Sequence, residues 1–168
     1  MIRDGDVVQH KDPAWGDRAD AVVLRNLASD DLEGLWEQLW VRHLDLGKYE
    51  LCCLPFFAYG LALGDVLDVA VDRDDRLVIT GLARSGGRSL IRVVAGLEAD
   101  VPTFHDALHA LLATEGLIHE WHRSGYVAID VPDVQRVAPF LSALDGLGLS
   151  QEMAVEIAGG PLRQHNSP

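Results

Sequence analysis

The sequence predicts an α+β protein: a small N-terminal β-rich segment, a curled sheet or barrel-like, packed on a C-terminal ferredoxin-like β-α-β-β-α-β unit. Two rhythms in the chain predict it. Residues 21–84 read as short strands broken by turns with no long helix among them, which suits a small curled sheet. Residues 85–159 switch between helical and strand periods in the order β-α-β-β-α-β, the split βαβ arrangement. A length of 168 residues fits one ordinary domain or two very small ones sharing a core.

Residues 1–20 are polar and mixed, hold Pro13 and Gly16, and keep no sustained period, so they read as a flexible N-terminal tail with Trp15 as its one docking residue. Residues 160–168 read as a C-terminal tail for the same reason. Ala21-Val22-Val23-Leu24-Arg25-Asn26-Leu27 is a β-branched run suited to a strand. Ser29-Asp30-Asp31 offers cap chemistry before Leu32, Leu35, Trp36 and Leu39, whose spacing suits a short helix. Gly34 argues against that helix and leaves an extended excursion open. Residues 40–44 and 48–52 flank a short Gly-containing turn and read as a hairpin. Residues 66–72 and 76–82 form a second hairpin, with Leu67, Val69 and Val71 on one face.

After a strand at 89–95, Thr103 is placed to cap a helix over 104–115 whose Phe104, Ala107, Leu108, Leu111 and Leu112 follow the helical period, and Gly116 closes it. Residues 117–123 and 126–131 read as a hairpin across Ser124-Gly125. Asp133 caps a second helix that Pro139 kinks or splits into two turns. Met153, Val155 and Ile157 alternate along a last strand over 151–158.

Composition narrows the function. Acidic residues outnumber basic ones 26 to 14, for a net charge of -12. Such a surface repels phosphate backbones, so no nucleic-acid partner is expected. No apolar run approaches the ~20 residues of a membrane helix, and the N-terminus lacks a signal-peptide core, so a cytoplasmic protein without a membrane partner is expected. Cys52 and Cys53, the only two cysteines, fit a reducing compartment.

Two stretches carry a resemblance. Pro55-Phe56-Phe57-Ala58-Tyr59-Gly60, leading into Gly64-Asp65-Val66, is one; Ser85-Gly86-Gly87-Arg88-Ser89-Leu90-Ile91-Arg92 is the other. Both resemble an uncharacterised bacterial family, "domain of unknown function 4265", over roughly residues 21–159. Cys52-Cys53-Leu54 stands where relatives more often have a polar residue, Asn and an aliphatic. Gly87-Arg88-Ser89 replaces a commoner short hydroxyl run. The resemblance implies no activity, because the family brings none.

Pro55 to Gly60 concentrates large side chains in a chain only 7% aromatic. Core filling is the plain reading; the sharper one turns the Tyr59 hydroxyl into a cleft. Gly64-Asp65 is read as a turn, with a catalytic carboxylate as the alternative. Ser85, Arg88, Ser89 and Arg92, beside two glycines, form a set able to wrap a carboxylate or phosphate at the junction of the two halves. The alternative is a linker whose arginines meet surface carboxylates. His105 and His109 stand at i, i+4, but lack the Glu of a zincin helix, and His119 and His122 fall on opposite faces of a strand, so no metal is expected.

The leading functional expectation is a cytosolic binding module for a small acidic ligand or a peptide. Its ligand-binding residues would be Tyr59, Asp65, Ser85, Arg88, Ser89 and Arg92, with no cofactor. A small cofactor-free enzyme using Asp65 or Tyr59, and an immunity-type protein neutralising a basic protein, are the alternatives. Open sheet edges add an expected homodimer.

Overall fold

A computed structural model describes residues 6–149 and 152–161. The tail expectations for residues 1–5 and 162–168 lie outside the described residues. Among those described, the strands form two sheets, and two α-helices join them to give an α+β fold.

The first sheet contains β1 (Val7–Val8), β2 (Ala21–Asn26), β3 (Trp36–Asp45), β4 (Lys48–Leu51), β5 (Val66–Val71) and β6 (Leu77–Arg84). Its order is β1-β3-β2-β6-β5-β4, and β4 pairs back onto β3, so the sheet curls on itself. The length of β3 makes this feasible: its first part meets β2, from Asn26↔Trp36 to Ala21↔Val41, and its end meets β4, from Val41↔Leu51 to Asp45↔Lys48. β6 returns to β2 through the parallel pair Leu24↔Val78. Period-2 alternation then sends Val23, Leu39, Val41, Leu67, Val69 and Ile79 to the inside. Each such burial stabilises by about 1.5–3 kcal/mol.

The second sheet contains β7 (Ser89–Ala95), β8 (His119–Arg123), β9 (Tyr126–Val131) and β10 (Met153–Gly159), with α1 (Val101–Glu115) and α2 (Val137–Asp145) between strands. Its order is β10-β7-β9-β8, and every neighbouring pair is antiparallel. Phe104, Leu108 and Leu112 of α1 and Phe140 and Leu144 of α2 share one core with Ile91, Val93, Val127 and Ile129, so both helices cover the same face. The other face presents Leu90, Ala128 and Ala158 to Leu54, Phe56, Ala62 and Leu63. Those four belong to the segment joining β4 to β5, whose Cys53, Ala58 and Leu61 turn the opposite way, into the core of the first sheet. The junction of the two halves is therefore this segment.

Several local expectations are corrected. No helix forms over 32–39. A single 3-10 turn at Ala28–Asp30 is followed by Asp31 at φ 62 and Gly34 at φ 81, and such left-handed backbone breaks a helix. From Trp36 the chain is a strand whose Glu37, Leu39 and Val41 point inward. Residues 6–20 do not form a free arm: β1 pairs with β3, His10 is 4% exposed, and the Trp15 amide donates to the Cys52 carbonyl at 2.9 Å. Thr103 does not cap α1, which starts two residues earlier after Asp100; the Thr103 hydroxyl donates to the Asp100 carboxylate instead. Gly116, at φ 64, closes that helix as its position implied. The Asp133 carboxylate caps a 3-10 turn, accepting from the Gln135 amide, and α2 begins only at Val137. Pro139 thus falls in the first turn of α2, where its missing N–H has no intrahelical partner to lose.

Candidate functional site

Residues 52–65 run between the sheets as irregular backbone, yet Cys52, Cys53, Leu54, Ala58, Ala62 and Leu63 are wholly buried. Buried backbone without a ladder needs other partners for its N–H and C=O groups. Charged side chains supply them. Glu37 of β3 accepts from the amides of Phe56 at 2.5 Å, Phe57 at 3.1 Å and Ala58 at 2.7 Å. Glu120 of β8 accepts from Leu54 at 2.7 Å and Ala14 at 2.8 Å. Arg92 of β7 donates to the carbonyls of Pro55 at 3.2 Å and Ala58 at 2.6 Å, and the Tyr126 hydroxyl donates to that of Phe56.

His10 joins the two carboxylates, with Nε2 3.0 Å from Glu37 and Nδ1 2.7 Å from Glu120, and its ring stacks on Phe56 at 4.3 Å. Burial works against the imidazolium, but the two hydrogen bonds and the two negative charges outweigh it and raise its pKa to about 9. Burial also works against the Glu37 carboxylate; His10 and the segment amides win there too and lower its pKa.

The six residues singled out in the sequence divide. Tyr59 and Arg92 come together: the guanidinium lies 4.6 Å from the Tyr59 ring centre, and both groups bond Glu156, at 2.8 and 3.2 Å. The other four hold the seam. Asp65 accepts from Ala62 at 2.8 Å and Gly86 at 2.7 Å, tying the Ser85-Gly86 turn to the end of the segment. Burial pushes its pKa up, against those amides and the Ser85 hydroxyl. The Ser85 hydroxyl also accepts from the Gly87 amide. Arg88 grips Asp130 with Nε and Nη2. Ser89 is fully buried, and its Oγ has no hydrogen-bond partner.

A cavity of about 700 Å³ opens at the junction, walled by Asp30, Asp31, Phe57, Tyr59, Arg92 and Tyr126. A second, of about 400 Å³, shares Phe57, Val94 and Tyr126 with it and continues to His122 and Arg123. The two adjoin at these shared residues, and we refer to them together as the groove between the halves. Neither Asp65, Ser85, Arg88 nor Ser89 lines either cavity.

His105 and His109 stack at 5.9 Å between ring centres and meet Trp121 and His119, while His122 sits with Phe56 and Phe57 on the other face of β8. Among the described residues, no three His, Cys, Asp or Glu are placed to hold a metal ion. No helix of the described residues is long and apolar enough to cross a membrane.

Sequence reasoning passed over His10, Glu37, Asp130 and Glu156. Two of them carried a signal. Glu37 shares the inward parity of Leu39 and Val41, a position that only a partnered carboxylate tolerates. Asp130 follows the run Val127-Ala128-Ile129 in a strand buried from Val127 to its end.

Compared with known proteins, the chain is matched over residues 37–153 by the model of a family described as Domain of unknown function (DUF4265). It also resembles a solved structure described as a novel crystal structure of a hypothetical protein from Neisseria gonorrhoeae. That likeness has a TM-score of 0.63 at 16% identity, covering 83% of this chain and 96% of the other, and at such identity it is one of fold. No curated protein matches.

Proposed function

The chain belongs to the family described as domain of unknown function DUF4265, which brings no activity with it, and we propose that it is a binding module that takes a small ligand or a peptide segment in the groove between its two halves. The observation supporting this is the groove: adjoining cavities of about 700 and 400 Å³, sharing Phe57, Val94 and Tyr126, on a wall made rigid by the bonded segment behind it. Those volumes fall in the range of small-molecule sites, and the rings of Phe57, Tyr59 and Tyr126 share the walls with Asp30, Asp31 and Arg92. The acidic ligand expected from the arginines finds less support. Arg92 is already held by Glu156 and two carbonyls, and Arg88 by Asp130. An enzyme using Asp65 finds little either, since both its oxygens are taken by backbone amides.

A thermal-shift screen of small acids, amines and short peptides tests the reading, run on the wild type and on Val94→Trp. That substitution fills the place where the cavities meet, at a half-buried position. A ligand at 100-fold excess over its Kd stabilises by about 2.7 kcal/mol, several degrees for a domain of this size. The expected result is a shift present in the wild type and absent in the variant. A screen that moves neither protein, or both alike, overturns the reading.

We further read residues 85–159 as a ferredoxin-like unit. The order β10-β7-β9-β8, all antiparallel, with both helices on one face, supports that reading. A cytosolic setting is supported by Cys52 and Cys53, both buried as free thiols.

A further inference from the structure

One wall of the groove holds a carboxylate that its own chain leaves half-used. The Asp30 side chain is 6% exposed and lines the larger cavity. Its Oδ1 faces the Tyr59 amide at 3.4 Å. Its Oδ2 is buried and ion-paired with Arg25 Nε at 3.6 Å, but at that distance it accepts no hydrogen bond. Arg25 spends Nη2 on the Ser29 hydroxyl instead, and its Nε is left without an acceptor. A buried carboxylate oxygen without a donor is costly, so a ligand that brings an N–H to it gains what the fold has left unmade.

The surroundings set the sign of that ligand. Asp31 lies next on the same wall, exposed and held in left-handed backbone. The positive charge of Arg92 is balanced by Glu156, and two of its nitrogens face inward to carbonyls. An anion entering here would face the exposed charge of Asp31 and the Asp30 carboxylate, which Arg25 pairs from behind, with no uncommitted cation on the wall. The rings of Phe57, Tyr59 and Tyr126 supply flat apolar walls whose π faces also attract cations, as the stacking of Arg92 on Tyr59 already illustrates. Taking the binding-module reading as its basis, we propose that the groove recognises an N–H-bearing cation, an ammonium or guanidinium on an apolar stem, with Asp30 Oδ2 as the acceptor and Asp31 as the second charge. Such a group is offered by a free amine or guanidine, or by the Lys or Arg side chain of a partner segment.

Calorimetric titration with benzylguanidinium tests this on the full chain, against benzylurea (neutral, same shape), benzyltrimethylammonium (a cation without N–H) and benzoate (an anion). A hydrogen bond to a charged group contributes about 1.5–3 kcal/mol, so Asp30→Asn and the urea should each weaken binding by about 10- to 100-fold. Asp31→Asn, at an exposed position, should weaken it only a few-fold. A capped Gly-Arg-Gly peptide binding tighter than benzylguanidinium points to a partner's side chain; the reverse points to a free guanidine or amine. Equal binding of guanidinium and urea, equal binding of guanidinium and the quaternary ammonium, tighter binding of benzoate, or an Asp30→Asn protein that binds like wild type overturns the proposal. If benzoate or benzylurea binds best and Val94→Trp abolishes it, the groove reading stands and the cation falls. If no probe binds the wild type, both fall. Should Asp30→Asn fail to fold, Asp31→Asn and the salt dependence decide: affinity unchanged in both rejects the charge.

Discussion

His10 and Glu120 face each other at 2.7 Å across 110 residues of sequence, with side chains 0% and 3% exposed. The second nitrogen of His10 meets Glu37, so one imidazolium sits between two carboxylates, one from each sheet. Each carboxylate also carries backbone amides of the junction segment. Removing the cation leaves two acids close together in the interior with nothing between them. His10→Ala should therefore destabilise by about 3–5 kcal/mol, the usual cost of breaking a buried ion pair from one side. Urea unfolding checks it, and an unfolding free energy unchanged within about 0.5 kcal/mol would show that the buried triad adds nothing to stability.

The same triad fixes the pH dependence. The folded pKa of His10, about 9, lies above its ordinary 6.5. Its stabilisation is therefore complete below pH 6.5 and is lost as pH rises through about 9, a loss on the order of 3 kcal/mol. Glu37 has the opposite sign: its pKa is lowered, so its contribution is present above 4.5 and fades as pH falls through the folded value. Asp65 and Asp130, both raised by burial, lose stability as pH rises past the usual carboxylate range and make the acid limb shallower. Stability should peak in mildly acidic buffer and decline toward pH 9. The alkaline decline should vanish in His10→Ala; a decline of the same size in both proteins would assign it elsewhere.

The parts of the fold that the sequence revealed are those with local causes. β7, α1, β8, β9, α2 and β10 follow from period and from Gly116, and both early hairpins follow from their turns. What stayed hidden depends on pairing at a distance. Leu32, Leu35, Trp36 and Leu39 fit a helical spacing as well as a strand, and only the ladder to β2 decides for the strand. Residues 6–20 have no period because a polar chain threaded along a seam needs none; its order comes from Glu37, Glu120 and Cys52, all contributed by other elements. The candidate site shows the same division. Tyr59 and Arg92 are singled out by local composition, whereas Asp30 and Glu156 enter only through their contacts with them.

Gly159 and Gly60 make a contrast that separates space from backbone strain. A Cβ on Gly159 would lie 1.9 Å from the Leu61 carbonyl oxygen, where the last strand crosses the junction segment. A Cβ on Gly60 would meet nothing, but φ there is 77. Gly60→Ala should thus cost about 1–2 kcal/mol and leave a folded protein. Gly159→Ala must push the segment away from β10 and should cost about 3 kcal/mol or more. Melting temperatures of the two variants check the order; equal losses would show that the segment yields easily.

Cys52 and Cys53 should be inert in the native state. Both are wholly buried; desolvation, aided by Glu50, pushes the Cys52 thiol up to about 11, and desolvation raises Cys53 well above its ordinary value. The thiolate is the reactive form, so a disulfide reagent at pH 7.5 should label neither until guanidinium unfolds the chain. Labelling within minutes under native conditions would show that the junction opens locally.

Arg92 tests whether the junction depends on charge or on geometry. Its Glu156 partner is 40% exposed, so that ion pair contributes little by itself. The bonds to the Pro55 and Ala58 carbonyls are buried, and leaving such an acceptor unmet costs about 1–3 kcal/mol each. Lysine keeps the charge but lacks the planar fork that spans two carbonyls and stacks on Tyr59. If geometry dominates, Arg92→Lys should lose most of the stability lost by Arg92→Ala, about 2–5 kcal/mol. Hydrogen exchange should then speed up at the Phe56, Phe57 and Ala58 amides, because the segment whose amides bond Glu37 has its carbonyls held by Arg92 and Tyr126. If Arg92→Lys is instead as stable as wild type with those amides still protected, charge balance with Glu156 would be the term that matters, and the groove wall would tolerate rearrangement of its floor.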